Sequence, residues 1–211
     1  MIRGMNGKQV VVTGGKGALG TAVVELLRAR GATVHLLDVP QVDATDEKQV
    51  ADFYAGVPGL WATVNLIGGF AMAPVTATSL ADFEKQWRLN TVTCFLACRE
   101  AARHMKGGGR IVNVAARPVL QPAGGMIAYV AAKAGVAAIT QSLGVELVGE
   151  GILVNAVVPS IIDTAANRAS MPKADHASWP KPAQIAETIA FLASPENTLT
   201  TGTLVPVYGR A

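Results

Sequence analysis

Two hydrophobic patterns alternate along the chain. Short apolar runs rich in β-branched residues lie at 9–13, 33–38, 61–67, 111–115, 152–158 and 203–207, and these read as buried strands. Between them, apolar residues recur at helical spacing over 21–30, 46–55, 80–105 and 184–193, and over a segment carrying Tyr129 and Lys133 that runs to about Gly149. Gly31 is placed to close the first helix, Ser79 or Thr78 to cap the third, and Pro159 to stop the fifth strand. Strands and helices alternate with no linker and no repeat. That order predicts an α/β fold: a Rossmann-type, doubly wound, mostly parallel sheet flanked by helices on both faces, in one domain over 1–211.

Two stretches depart from the pattern. Asp38 is separated from Asp43 by only four residues, and a new helix begins near Asp46. A parallel crossover needs about a dozen residues, so the usual helix after the second strand is expected to be missing and any third strand vestigial. The polar segment 160–182 follows neither period and is expected to be a mobile cover.

Composition narrows the class of partner. Hydrophobic residues make up 50% of the chain and charged residues 16%, which calls for a sheet covered on both faces or a subunit interface. The helices around Asn90 and after Tyr129 are apolar around much of their circumference, which predicts a homodimer or homotetramer joined through them. The net charge of +3 is scattered rather than clustered, so no nucleic-acid or membrane surface is expected. Apolar runs too short to span a bilayer, and no signal-like start, point to the cytoplasm. Cys94 and Cys98 are the only cysteines and read as free thiols of a core or interface; no metal site is expected.

The first strand breaks into a glycine turn, Gly14, Gly15, Lys16, Gly17, Ala18, Leu19 and Gly20, which opens a helix. Glycines let backbone approach a pyrophosphate, and the helix N-terminus offers unpaired N–H groups to it. Asp38 closes the second strand, where a carboxylate accepts hydrogen bonds from ribose hydroxyls and repels a 2′-phosphate. The turn therefore predicts a dinucleotide, NADH first. Lys16 pulls toward NADPH, and Asp43 is a further candidate for the adenine. Tyr129 and Lys133 lie four residues apart on one helical face, so the ammonium is placed to lower the phenol pKa and make it a proton relay.

Taken together, these features resemble the short-chain dehydrogenase/reductase family over essentially the whole chain. The resemblance implies cofactor contacts at Gly14 to Gly20, Asp38, Asn65, Gly68, Gly69, Pro159, Ile162 and Thr164, as well as at Tyr129 and Lys133. It implies that Tyr129 donates a proton, that Lys133 binds the nicotinamide ribose, and that Asn90 holds a relay water. One landmark is absent: the family's serine, thirteen residues before the tyrosine, is Ala116 here. A branch of the family, dihydropteridine reductase, also lacks that serine. It is locally similar at Gly68 and Gly69, at Trp87, at 124–129 with Met126, and at 163–164, 167–172, 174–175 and 178–179. It does not keep Asn90. That resemblance implies a quinonoid dihydropteridine or similar conjugated heterocycle as the small-molecule substrate, with Trp87, Ala116 and Met126 near it. A slow ketone or aldehyde reductase and a non-catalytic NAD(H)-binding protein are the competing readings.

Overall fold

A computed structural model describes residues 4–210. Six strands form one sheet: β1 (Gln9–Thr13), β2 (Thr33–Leu37), β3 (Leu60–Asn65), β4 (Gly109–Val114), β5 (Ile152–Pro159) and β6 (Leu204–Val207). They lie in the order β2-β1-β3-β4-β5-β6, and every pair is parallel. The chain steps from β1 outward to β2, then back across β1 to β3. A crevice therefore opens beyond the C-terminal ends of β1 and β3, the switch point where such sheets take ligands. Register sets those ends side by side, Thr13 against Leu37 and Asn65, and Asn65 against Asn113.

Helices cover both faces. On one, α1 (Ala18–Ala29) and α7 (Pro182–Ala193) bury Val23, Leu27, Ile185 and Ile189 against Val10, Val12, Val64 and Val112. On the other, α2 (Glu47–Ala55), α4 (Thr93–His104) and α5 (Ile127–Glu146) bury Val50, Leu96, Ala101 and Val136 against Val11, Ile111 and Val154. Alternate residues of one strand thus serve opposite cores, as the strand period requires.

The expected gap after β2 is present. No strand or helix lies between Leu37 and α2 among the described residues, so β2 is a sheet edge. Two expectations give way. The helix expected over 80–105 is interrupted: α3 (Leu80–Trp87) runs into a π-helical turn, Arg88–Val92, before α4 resumes. The cover segment is built rather than bare. It carries α6 (Ala165–Ser170), capped by Thr164, and a 3₁₀ turn at His176–Ser178 leading to buried Trp179. Arg168 pairs with Asp163 at 2.5 and 2.9 Å, and the His176 ring lies against Trp179.

A chain of buried polar groups fixes α5 to the sheet. The Tyr54 hydroxyl meets Thr63 Oγ1 at 2.6 Å, Thr63 donates to Asn65 at 3.2 Å, and Asn65 donates to Asn113 at 2.8 Å. Asn113 donates in turn to Thr140 Oγ1 on α5 at 2.9 Å, and Thr140 donates to the Val136 carbonyl at 2.8 Å. Buried polar groups satisfied in series specify one register and one helix position. Because Tyr129 and Lys133 ride on α5, their placement depends on this chain.

Candidate active site at the C-terminal sheet edge

The glycine turn has the room a dinucleotide needs. Gly14 adopts the left-handed conformation at φ 71°, and a Cβ on Gly20 would stand 2.2 Å from the Gly14 carbonyl oxygen. Only glycine permits that approach. Gly17 caps α1 without a side-chain hydrogen bond, and the helix begins at Ala18, three residues earlier than its periodicity indicated. Its first amides are thus free of side-chain caps. Asp38 accepts the Lys16 amide at 2.9 Å and the Val39 amide at 3.1 Å, which holds its carboxylate beside the turn. The Lys16 ammonium bends away to the Val39 carbonyl (2.8 Å) and to Gln41 Oε1 (3.0 Å). Asp43 is spent on Thr45, accepting both its amide and its hydroxyl at 2.8 Å. Sequence reasoning did not reach Gln41, because nothing local ties it to a lysine twenty-five residues away.

Across the crevice, α5 delivers the two titratable groups. Lys133 is buried and donates to the Val114 carbonyl at 2.8 Å, its one protein acceptor among the described residues. An ammonium has three donors, so two remain for a bound molecule such as a ribose diol. Burial pushes the Lys133 pKa down to about 8, with a smaller opposing effect from Cys94. Burial raises Tyr129 to about 12. The expectation that Lys133 lowers the phenol is therefore not met in the free chain: burial is the one cause acting on Tyr129. The hydroxyl keeps its proton through the neutral range, so in this form it is an acid rather than a base.

Several expected contacts are placed differently. Asn65 turns its side chain into the buried polar chain. Asn90, in the π turn, accepts the Gly69 amide at 3.2 Å and donates to the Gly69 and Gln86 carbonyls at 3.2 and 3.0 Å. It clips the Gly68–Gly69 loop to the helix. A Cβ on Gly68 would come within 2.6 Å of Asn90 Oδ1 and 3.1 Å of Lys133 Nζ, so glycine is required where the three meet. Trp87 points its ring end at Gly135, where an added Cβ would lie 3.2 Å from it, and so packs α3 on α5 while staying 40% exposed. Pro159 ends β5 buried, Ile162 packs against the α1/α7 core, and Thr164 spends its hydroxyl capping α6. Met126 stays beside the site, bridged to Ala73.

One wall residue escaped the sequence: Phe70, immediately after Gly69. Its ring meets Tyr129 edge-on, centroids 5.0 Å apart, yet it is 59% exposed. Met72, Leu120, Ile127 and Ile161 are also exposed on segments at this edge of the sheet. Ala116 is buried at the head of the 117–119 turn.

Comparison with known proteins agrees with this geometry. A family model described as enoyl-(acyl carrier protein) reductase matches residues 4–209. An uncharacterized short-chain type dehydrogenase/reductase of Sinorhizobium fredii is 30% identical over 96% of the chain, which spans 43% of that protein's length. The cis-4-hydroxycyclohexanecarboxylate dehydrogenase of Sinomonas cyclohexanicum is 31% identical, with 94% of each protein covered. Among solved structures, ElxO with NADP bound superposes with a TM-score of 0.88 at 25% identity, covering 96% of this chain and 97% of that one. The chain belongs to the short-chain dehydrogenase/reductase family of NAD(P)-dependent oxidoreductases.

Proposed function

We propose that the protein reduces a flat, conjugated heterocycle, of which a quinonoid dihydropteridine is the type, with NADH. The observation that carries this reading is Ala116: thirteen residues before Tyr129 the chain has a buried methyl group where the family resemblance calls for a hydroxyl. A carbonyl oxygen gains localised charge as it is reduced, and losing one donor to it costs about two to three orders of magnitude. An electron-poor ring spreads that charge and needs one proton donor. NAD(P)H supplies the hydride when bound. Tyr129 gives its hydroxyl proton to the ring nitrogen, Lys133 turns its two spare donors to the ribose, and exposed Phe70 offers a ring face to a planar substrate.

A second reading, reduction of an alicyclic ketone, is favoured by the apolar rim of Phe70, Met72, Leu120 and Ile127. It is in keeping with the cyclohexane-ring relative. Assay with NADH against freshly generated quinonoid dihydropterin and against a cyclic ketone separates the two. No pterin turnover under conditions that support an authentic reductase sinks the first. Ala116→Ser is expected to raise ketone reduction by about tenfold or more and to leave heterocycle reduction nearly unchanged. An equal effect on both would remove Ala116 from the argument.

Cofactor choice rests on the Asp38–Lys16–Gln41 cluster. With Lys16 held by Gln41, Asp38 faces a 2′-phosphate unopposed, and NADH is favoured. Gln41→Leu is expected to free Lys16 and strengthen NADPH binding about threefold to tenfold, an ion-pair effect of roughly 1 kcal/mol, without changing NADH binding. Nucleotide-fluorescence titration reads both constants.

The protein is further proposed to self-associate. A groove of about 590 Å³ between α4 and α5 is lined by Phe95, Cys98, Ala102, Ala138, Ile139 and Leu143 together with Arg99, Arg103 and Glu146, and a face that carries apolar groups and both signs of charge fits a second copy of the same helices. Size-exclusion chromatography should show a multiple of 21.8 kDa, and Ile139→Glu should return the monomer. A monomeric wild type refutes the interface.

A further inference from the structure

At the opposite end of the sheet, where β1, β3 and β4 begin, a second cavity of about 370 Å³ is walled by Lys8, Trp61, His104, Lys106 and the backbone of Gly107 and Gly108. No carboxylate lines it. The Lys8 ammonium lies 3.9 Å from the centre of the Trp61 ring, and the guanidinium of Arg110 lies 5.0 Å from the same centre. Arg110 is buried, and its N–H groups reach only the carbonyls of Gly109, Gly151 and Asn197; its Nε has no partner. His104 Nε2 is likewise buried without a partner. Among the described residues, none of Lys8, His104, Lys106 and Arg110 pairs with an acid, although six ion pairs form elsewhere.

Arg110 is the one buried cation here, and with Lys8 and Lys106 at the cavity and no carboxylate among them the group makes a local positive field that concentrates an anion. The plainer account is that His104 and Lys106 answer the negative end of α4, which finishes at His104. A helix end carries about half a charge, less than Lys8, Lys106 and Arg110 together supply. Nor does it account for Lys8, which immediately precedes β1, or for Arg110 in β4. Both cations lie over the Trp61 ring and compete for its faces, which argues against a stacked base. The cavity is also too small for a polymer. We infer that this pocket binds a small, multiply charged oxyanion, a phosphoryl or diphosphoryl group, remote from the dinucleotide site.

The test is titration of the full chain with inorganic pyrophosphate by calorimetry, with NADH in excess so that the glycine turn is filled. The His104 ring resonances are followed in parallel by NMR. Saturable binding that shifts those resonances is expected, weakened about tenfold in the Lys8→Gln, Lys106→Gln double variant, a loss of about 1.4 kcal/mol. Both lysines are surface groups far from the crevice, so NADH binding by the variant checks that it is folded. The inference is overturned by an absence of saturable binding, by equal affinity in the double variant, or by binding that leaves the His104 ring unmoved.

Discussion

Lys133→Met is expected to make the free chain more stable while it ends catalysis. At neutral pH the folded protein holds a proton on an ammonium that burial disfavours, lowering its pKa from 10.5 to about 8. At 1.36 kcal/mol per pKa unit, that costs about 3 kcal/mol relative to the unfolded chain. Methionine fills similar volume without the charge, and forfeits about 1 kcal/mol for the hydrogen bond to Val114. A net gain of about 2 kcal/mol should remain. The sign with pH is definite. Below about 8 the lysine is protonated whether folded or not, and the cost is present in full. Between about 8 and 10.5 the wild type gains stability as pH rises, since only the unfolded chain still binds the proton. The advantage of the variant should therefore shrink over that window. Urea unfolding at pH 7 and near pH 10 measures it, and a variant less stable than wild type at pH 7 contradicts the account. Reduction should be lost because the ribose loses both remaining donors.

Tyr129→Phe should lower turnover by about two to four orders of magnitude, the range for removing a general acid, and leave NADH binding unchanged. The ring stays, so its edge contact with Phe70 survives and the helix has no reason to move. Stopped-flow hydride transfer and nucleotide fluorescence separate the two effects. Turnover within tenfold of wild type would take the hydroxyl out of the mechanism.

What the sequence disclosed follows the range of the interactions involved. The unit from Gln9 to Asp38 was readable because glycine spacing, strand composition and the closing acid are all local. The lost third strand was readable because it is a matter of chain length. The π turn at Arg88–Val92 was not. Leu89, Asn90 and Thr91 read as ordinary helix, and the turn coincides with Asn90 reaching back to Gly69. Asn65 hid its role in the sheet for a related reason. It stands where the family resemblance places a cofactor contact, yet strand alternation puts it on the same face as Thr63, pointing at Asn113 across the sheet. That face was available from the period alone and was outweighed by the motif. Phe70 over Tyr129, and Gln41 holding Lys16, join segments far apart in sequence, and no single-chain pattern carries such pairs.

The short run from Asp38 to Asp46 makes the protein separable at its adenosine end. Nothing beyond β2 depends on that loop for hydrogen bonding within the sheet, and it enters α2 directly through the Asp46 cap. It can be exchanged as a cassette if Val42 and Ala44, which pack into the core, are kept. A longer graft would restyle the choice of nucleotide, or add a strand to the free edge of β2, while leaving α5 and the Tyr129–Lys133 pair where the buried polar chain holds them.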